Sequence, residues 1–287
     1  MGSYEDTSAS AWPDFFIVGA PRAGTTSLWK YIGQHPDVWM SAVKEPHYFA
    51  STGRWRITSK RKYLQLFSNG VGFGAVGEAS TTYLRDEGAP WRIRQQVPHA
   101  RIIVSLRDPL ERTYSSFLMR VRDGAEQLGY YDALQRSPFS EAYIGASLYS
   151  QSIKRYFDAF GRGRVHVLMF EDLIHDPEEE VRKIFAFLGV DTRPAESIEF
   201  TTHNPGYIPR GKGASAIIRL RRRLPVRSLR FLPAPVKRVL RYRVLGSLDV
   251  PPPDPRAKEL LIRIFGPDLA ALEALLGRSL PQLRKGW

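Results

Sequence analysis

Cysteine is absent from this sequence, which excludes disulfides, thiolate metal ligands and thiol catalysis. That absence is compatible with the cytosol, and a cytoplasmic location is the expectation. No apolar run approaches the roughly 20 residues that a membrane-spanning helix needs. The first dozen residues, Met1–Trp12, have neither the basic start nor the apolar core of a secretory signal. They are expected to form a flexible N-terminus, and export is not indicated. Acidic residues are missing from one long stretch: Arg210 to Arg243 holds twelve Lys and Arg and no Asp or Glu, so it accounts for 12 of the net charge of +13. Such an arm attracts nucleic acid, an anionic membrane face or an acidic substrate, and it reads equally well as a solvated basic surface.

The chain that remains is globular in composition, 43% apolar and 25% charged over 287 residues, a length that suits one α/β domain with appendages. The organisation expected is a tail over 1–12 and a single domain over 13–287. Within that domain, 200–250 reads as a basic loop and helical arm and 254–287 as a C-terminal helical region.

The stretch that organises the rest is Phe15-Phe16-Ile17-Val18, an apolar, β-prone run that breaks at Gly19, crosses a small-residue loop and enters a helix predicted from Thr26 to Ile32. Strand, loop and helix in that order make an anion site. The loop N–H groups and the unpaired N–H groups of the first helical turn converge where negative charge is most stable, and the helix dipole adds to the attraction. The spacing matches Walker A in part. Gly19 and Gly24 are correctly placed and Thr26 takes the hydroxyl position, but Thr25 stands where a lysine would reach the β- and γ-phosphates. The cation, Arg22, sits inside the loop instead. A nucleotide triphosphatase loses its lysine here, whereas a loop holding one phosphate beside a second, transferable oxyanion keeps what it needs. A P-loop kinase or NTPase stands as the alternative enzyme, and a plain strand-turn-helix with incidental glycines as the structural one.

Val38-Trp39-Met40 suggests a second strand, and Lys44-Glu45-Pro46-His47-Tyr48-Phe49 follows. The rigid Pro46 holds Glu45 and His47 near each other. Glu45 then suits a general base adjusted by a cation and an imidazole, although a charged turn leading into buried aromatics has the same composition. Arg54 to Phe67 reads as helix. The strand from Ala75 runs through Gly77-Glu78-Ala79 into Ser80-Thr81-Thr82, at the lip of the sheet where ligands bind in open α/β folds; a capped turn fits too. Arg101–Leu106 is the clearest buried parallel strand. Arg107 at its end and Ser115 in the next helix supply a bidentate clamp and a short donor for a second oxyanion, while Arg107 and Asp108 would also serve as a structural ion pair with a capping role. Two such sites suit a ligand bearing phosphates at two ends.

Gly145 to Phe160 reads as helix, Val165–Phe170 as strand, and Glu178 to Leu188 as a helix ended by Gly189. The alternation predicts an α/β fold with a P-loop-type parallel β-sheet flanked by helices, followed by a basic helical C-terminal extension. In that extension the loop holding Arg210, Gly211 and Lys212 suits closure over a phosphate. Asp254 to Leu276 reads as an amphipathic helical region with a break at Gly266-Pro267.

Taken in order, Pro21-Arg22-Ala23-Gly24-Thr25-Thr26-Ser27-Leu28, Lys44-Glu45-Pro46-His47-Tyr48-Phe49, Gly77-Glu78 with Thr82-Tyr83, and Arg107-Asp108-Pro109 with Arg112 and Ser115 resemble the motifs of sulfotransferases. That family uses 3'-phosphoadenosine 5'-phosphosulfate. Phe170-Glu171-Asp172-Leu173 with Asp176-Pro177 and Phe187-Leu188-Gly189, and the ending Leu275-Leu276-Gly277-Arg278 with Trp287, resemble bacterial members. The aromatic Glu-x-His motif is closer to the heparan sulfate and other Golgi-type branch than to the cytosolic phenol and steroid branch.

The resemblance implies transfer of a sulfonate group to a hydroxyl or amine, with Glu45 as catalytic base and His47 as the nearby imidazole. The 5'-phosphosulfate would lie against Arg22, Ala23, Gly24, Thr25, Thr26 and Ser27, the 3'-phosphate against Arg107 and Ser115, and Arg210-Gly211-Lys212 would close over it. No metal is required. The acceptor class is a small molecule, lipid or saccharide; nucleic acid is not expected, and the basic arm offers a peripheral contact to an anionic membrane. A non-enzymatic anion or nucleic-acid binding protein is the remaining alternative, and it leaves both oxyanion sites unexplained. The chain departs from the pattern twice. Arg22 replaces the lysine of many relatives, so it stabilises charge without donating a proton. Ala79 replaces the lysine of glycan-acting relatives, which counts against a polyanionic glycan acceptor.

Overall fold

Each apolar run read as a strand forms one: β1 Phe15–Gly19, β2 Val38–Met40, β3 Ala75–Ala79, β4 Arg101–Leu106 and β5 Val165–Met169. The computed structural model describes residues 12–53, 56–201 and 252–287. The N-terminal tail before Trp12 and the basic arm, with Arg210, Gly211 and Lys212, lie outside the described residues. The five strands pair in parallel in the order β2-β3-β1-β4-β5. Parallel strands covered on both faces need apolar side chains on both, and every residue of β1 and β3 is buried. From β1 the chain builds β2 and β3 on one side of the sheet, then β4 and β5 on the other. The carboxyl end of β1 is therefore the point where strand order reverses, and there an open sheet leaves a crevice for ligands.

Helix α1, Thr25–Ile32, follows β1, and α9, Pro177–Leu188, follows β5 after the short α8, Phe170–His175. Leu28 and Ile32 from α1 and Val181, Ile184 and Phe185 from α9 pack in one core cluster with β1. The start of α9 is set by Asp176, whose side chain accepts from the Glu179 N–H, and its end by Gly189 at φ 74, a left-handed cap that glycine adopts without a Cβ penalty.

Three expectations are corrected. Arg54 and Trp55 lie outside the described residues; from 56 onward the helix expected there begins only at α2, Lys60–Leu64, capped by Ser59, and tightens into a 3₁₀ turn over Gln65–Gly70. The helix expected from Gly145 is a 3₁₀ turn, Gly145–Ser147, followed by α7, Ser150–Phe160; the Asp268 carboxylate accepts from the Tyr149 and Ser150 N–H groups and so defines the start of α7. The break expected at Gly266-Pro267 is absent, since α10, Pro255–Leu276, runs through Pro267. Ala257, Leu261, Phe265, Leu269 and Leu272 are all buried along it, so a continuous apolar face outweighs the hydrogen bond that Pro267 cannot make. Among the described residues no helix is long and apolar enough to cross a membrane.

The residues fall into two compact units. The first holds the sheet, with the chain through Asp108, the stretch from Leu148, and Pro267–Gly286; the second holds Pro109–Ser147, the segment ending at Gly266, and Trp287. Helix α3, Ala89–Gln96, belongs to the first unit; α4, Pro109–Arg122, α5, Tyr130–Arg136, and α6, Ser140–Tyr143, belong to the second. In the second unit Arg112 is fully buried. Its guanidinium donates to Ser147 Oγ and to the carbonyls of Ala142 and Tyr143, so it ties α4 to α6.

Candidate active site

Three strand ends meet around β1. The Ala20 N–H donates to the Ser105 carbonyl of β4 at 2.7 Å, and Ser105 Oγ donates back to the Ala23 carbonyl at 2.6 Å. On the other side Ser80 and Leu84, past the end of β3, donate to the carbonyls of Ile17 and Val18. The loop between β1 and α1 is thereby held from both neighbouring strands. Gly24 closes it at φ 75 and caps α1. A Cβ there would stand 2.7 Å from the Phe170 ring, so glycine is required both for backbone conformation and for space. No side chain caps α1 and its first turn carries no acid. The N–H groups of Thr25, Thr26 and Ser27 have no partner within the helix, and the dipole leaves that end receptive to an anion.

Arg107 extends from the end of β4 and donates through Nη1 to the Arg22 carbonyl at 3.3 Å. Its guanidinium carbon lies 4.8 Å from the centroid of the Phe170 ring, and its own carbonyl accepts from Tyr149 Oη at 2.8 Å. Asp108, fully buried, is occupied by the C-terminal tail: Gly286 N–H donates to it at 2.8 Å, and the Asp108 N–H donates to Glu171.

The Lys44–Phe49 loop lies along the segment that leaves β3. Glu45 N–H donates to the Ala79 carbonyl at 2.8 Å. Thr81 Oγ1 donates to Glu45 Oε1 at 2.9 Å, Lys44 Nζ lies 3.1 Å from the same oxygen, and His47 Nε2 lies 3.5 Å from Glu45 Oε2. The other imidazole nitrogen, Nδ1, is 2.9 Å from Thr82 Oγ1. These neighbours, the imidazole first, then the Lys44 charge and the Lys44 and Thr81 hydrogen bonds, hold the Glu45 carboxyl down to about 2, against burial, which raises it. Glu45 is an anion at any physiological pH and needs no prior deprotonation before it accepts a proton.

Arg22, Glu45 and His47 have φ of 70, 63 and 53. Among the described residues they are the non-glycine residues with positive φ. A side chain in the left-handed region costs about 1–2 kcal/mol, and Glu45 is further constrained because it precedes a proline. Such conformations persist where the surroundings over-determine them, and they gather at functional sites.

The structure brings Arg22, Ala23, Gly24, Thr25, Thr26, Ser27, Glu45, His47 and Arg107 to the carboxyl ends of β3, β1 and β4 in the first unit. Ser115 stands on α4 in the second unit and is described there. Arg210, Gly211 and Lys212 lie outside the described residues. Sequence reasoning set Thr81 and Thr82 at the ligand-binding lip of the sheet and Phe170 in a family motif, but it did not foresee that the threonines reach Glu45 and His47 or that the Phe170 ring lies against Arg107 and Gly24.

A parallel sheet with this strand order, a glycine-bounded loop at its reversal point and an uncapped helix N-terminus define a P-loop-type α/β protein. A family model described as Sulfotransferase domain matches residues 12–204, and the chain belongs to the sulfotransferase family. It is similar to a sulfotransferase from Alicyclobacillus acidocaldarius of known structure, at 31% identity and TM-score 0.71, over 96% of this chain and 100% of that one. It is also similar to human Carbohydrate sulfotransferase 15, 24% identical over 67% of this chain and 46% of that protein. Mouse Heparan sulfate glucosamine 3-O-sulfotransferase 3A1 is 24% identical over 64% of this chain and 48% of its own length. The chain spans about half the length of these two relatives.

Proposed function

We propose that this chain transfers the sulfonate group of 3'-phosphoadenosine 5'-phosphosulfate to a hydroxyl or amine acceptor by in-line displacement. The observation that carries the proposal is the left-handed backbone at Arg22, Glu45 and His47: among the described residues, the three non-glycine residues that hold this conformation are the three assigned to the chemistry. Family membership supports the donor, and the carbohydrate and heparan sulfate named for the relatives support a saccharide as one acceptor class, beside a small molecule or lipid.

The acceptor oxygen or nitrogen attacks sulfur while its proton passes to a Glu45 carboxylate oxygen, and the bond between sulfur and the 5'-phosphate oxygen breaks. The products are the sulfated acceptor and 3'-phosphoadenosine 5'-phosphate. A carboxyl held near 2 is a weak base, so the proton it takes up is released readily to solvent as the product leaves, and the imidazole 3.5 Å away favours the return of Glu45 to its anion. Arg22 and the N–H groups of Thr25 to Ser27 stabilise charge on the sulfonate and departing phosphate. Arg107 is assigned to the 3'-phosphate. The expectation for Ser115 at that phosphate is checked on its own with Ser115→Ala.

Calorimetric titration with 3'-phosphoadenosine 5'-phosphate and with ATP tests the donor, in wild type and in Arg107→Ala. Tight binding of the 3'-phosphorylated nucleotide, weak binding of ATP and loss in the variant are expected; equal binding of both nucleotides would overturn it. Glu45→Gln is expected to retain nucleotide binding and abolish radiolabelled sulfonate transfer to a panel of alcohols, phenols and amino sugars. Unchanged transfer would remove Glu45 from the mechanism.

A further inference from the structure

We infer that Glu78 is a positioning residue that holds the Glu45–His47 pair in its reactive geometry through Ser80 and Tyr83. The inference rests on the proposed roles of Glu45 and His47.

Glu78 is the one charged residue of β3 and is fully buried. Three hydroxyls converge on its carboxylate: Ser80 Oγ donates to Oε2 at 2.7 Å, and Tyr63 Oη and Tyr83 Oη donate to Oε1 at 2.9 and 2.8 Å. Two of these hydroxyls are themselves acceptors. The His47 N–H donates to Ser80 Oγ at 3.0 Å, and the Phe49 N–H donates to Tyr83 Oη at 3.1 Å. Each hydroxyl has a single hydrogen. Once it accepts a backbone N–H, its orientation is set by where that hydrogen goes, and Glu78 is the acceptor. Two chains result, one from the His47 N–H through Ser80 to Glu78, the other from the Phe49 N–H through Tyr83 to Glu78.

These chains act on the backbone that carries the strain. His47 at φ 53 and Glu45 at φ 63 face the β3 segment in consecutive pairings. Ala79 takes the Glu45 N–H, Ser80 the His47 N–H and Tyr83 the Phe49 N–H. The intervening Thr81 and Thr82 reach the Glu45 carboxylate and the His47 ring. The segment 78–83 is a template against which the loop is laid, and an isolated buried carboxylate is costly enough that a plain packing role would favour an apolar residue in its place. Burial raises the Glu78 carboxyl above its ordinary range, and the hydrogen bonds from Ser80, Tyr83 and Tyr63 offset only part of that rise.

The test uses the full chain with Glu78→Gln and Ser80→Ala. The second variant removes one hydroxyl and leaves Glu78 its two tyrosines, so it serves if Glu78→Gln does not fold. Two readouts need no acceptor: hydrogen exchange at the His47 and Phe49 amides, and the 15N shifts of the His47 ring nitrogens. We expect His47 amide exchange to accelerate at least tenfold in both variants, with ring shifts moving toward those of a solvated histidine. Affinity for 3'-phosphoadenosine 5'-phosphate should stay within about twofold. With any panel acceptor that wild type sulfates, kcat should fall by about tenfold to a hundredfold at unchanged KM for the donor. Unchanged exchange and ring shifts in a folded variant would overturn the inference, as would a lower melting temperature accompanied by full kcat. If Glu45→Gln keeps full turnover, the base assignment fails, while the amide and ring readouts still decide whether Glu78 positions the loop.

Discussion

The guanidinium carbon of Arg107 stands 4.8 Å from the centroid of the Phe170 ring, and the same ring occupies the space beside Gly24. One aromatic side chain from the start of α8 therefore supports both the cation assigned to the 3'-phosphate and the loop assigned to the 5'-phosphosulfate. A cation over an aromatic face contributes about 0.5–2 kcal/mol. Phe170→Ala is expected to weaken binding of 3'-phosphoadenosine 5'-phosphate by about tenfold in calorimetry, and Phe170→Tyr to restore most of it.

Glu45 makes a second prediction through its ionisation. Its folded value of about 2 lies below the ordinary 4.5, chiefly because of the His47 imidazole. A depressed carboxyl contributes stability that is present above pH 4.5 and lost as pH falls toward 2. The melting temperatures of wild type and Glu45→Gln should therefore differ at pH 6 and converge between pH 4.5 and 2. In activity, kcat/KM should show no inflection near pH 4.5, because the carboxylate is already ionised there.

His166 on β5 works in the opposite sense. Burial, with the positive charges of Lys183 and Arg278, lowers it from 6.5 to about 4, so it is neutral in the fold at pH 6. Below pH 6.5 the unfolded chain takes up the proton first, and stability falls with pH until about pH 4. The loss is at most about 3 kcal/mol at 1.36 kcal/mol per unit. Urea denaturation at pH 7.5 and pH 4.5 should show a smaller decline in His166→Leu than in wild type; an equal decline would assign it to other groups.

Arg112 stands in the Arg107–Ser115 motif, but its fully buried guanidinium is engaged by Ser147 and by the carbonyls of Ala142 and Tyr143 in the second unit. Arg112→Ala leaves those acceptors without their donor and should destabilise the chain by about 3 kcal/mol or more. The check is chemical denaturation, and at temperatures where the variant stays folded its affinity for ATP and for 3'-phosphoadenosine 5'-phosphate should match wild type.

The parts of the site that were legible in the sequence are those whose chemistry is local. Gly19 to Ser27 could be read because strand, loop and helix N-terminus are contiguous, and Lys44 to His47 because a proline holds an acid and an imidazole two residues apart. The β-strands were readable for a related reason: a parallel strand covered on both faces must be apolar throughout, and no pairing partner has to be known to see it. Helix limits were less legible. The start of α7 depends on Asp268, more than a hundred residues away, and the continuity of α10 through Pro267 depends on a buried face that no local propensity reports.

From the sequence alone came the phosphate loop, the candidate base and its imidazole, the strand-terminal arginine and the family to which these belong, because each is a short pattern with its own chemistry. The tertiary structure decided how they act on one another. Parallel register sets Ile17 beside Ala79 and Ile103, and so brings the ends of β3, β1 and β4 together. Only that juxtaposition places Thr81 and Thr82 on the Glu45–His47 pair, Phe170 beneath Arg107 and Gly24, and Glu78 behind Ser80 and Tyr83. These are contacts between residues distant in the chain, and hydrogen-bond direction and steric fit exist only once the sheet has fixed where each strand ends.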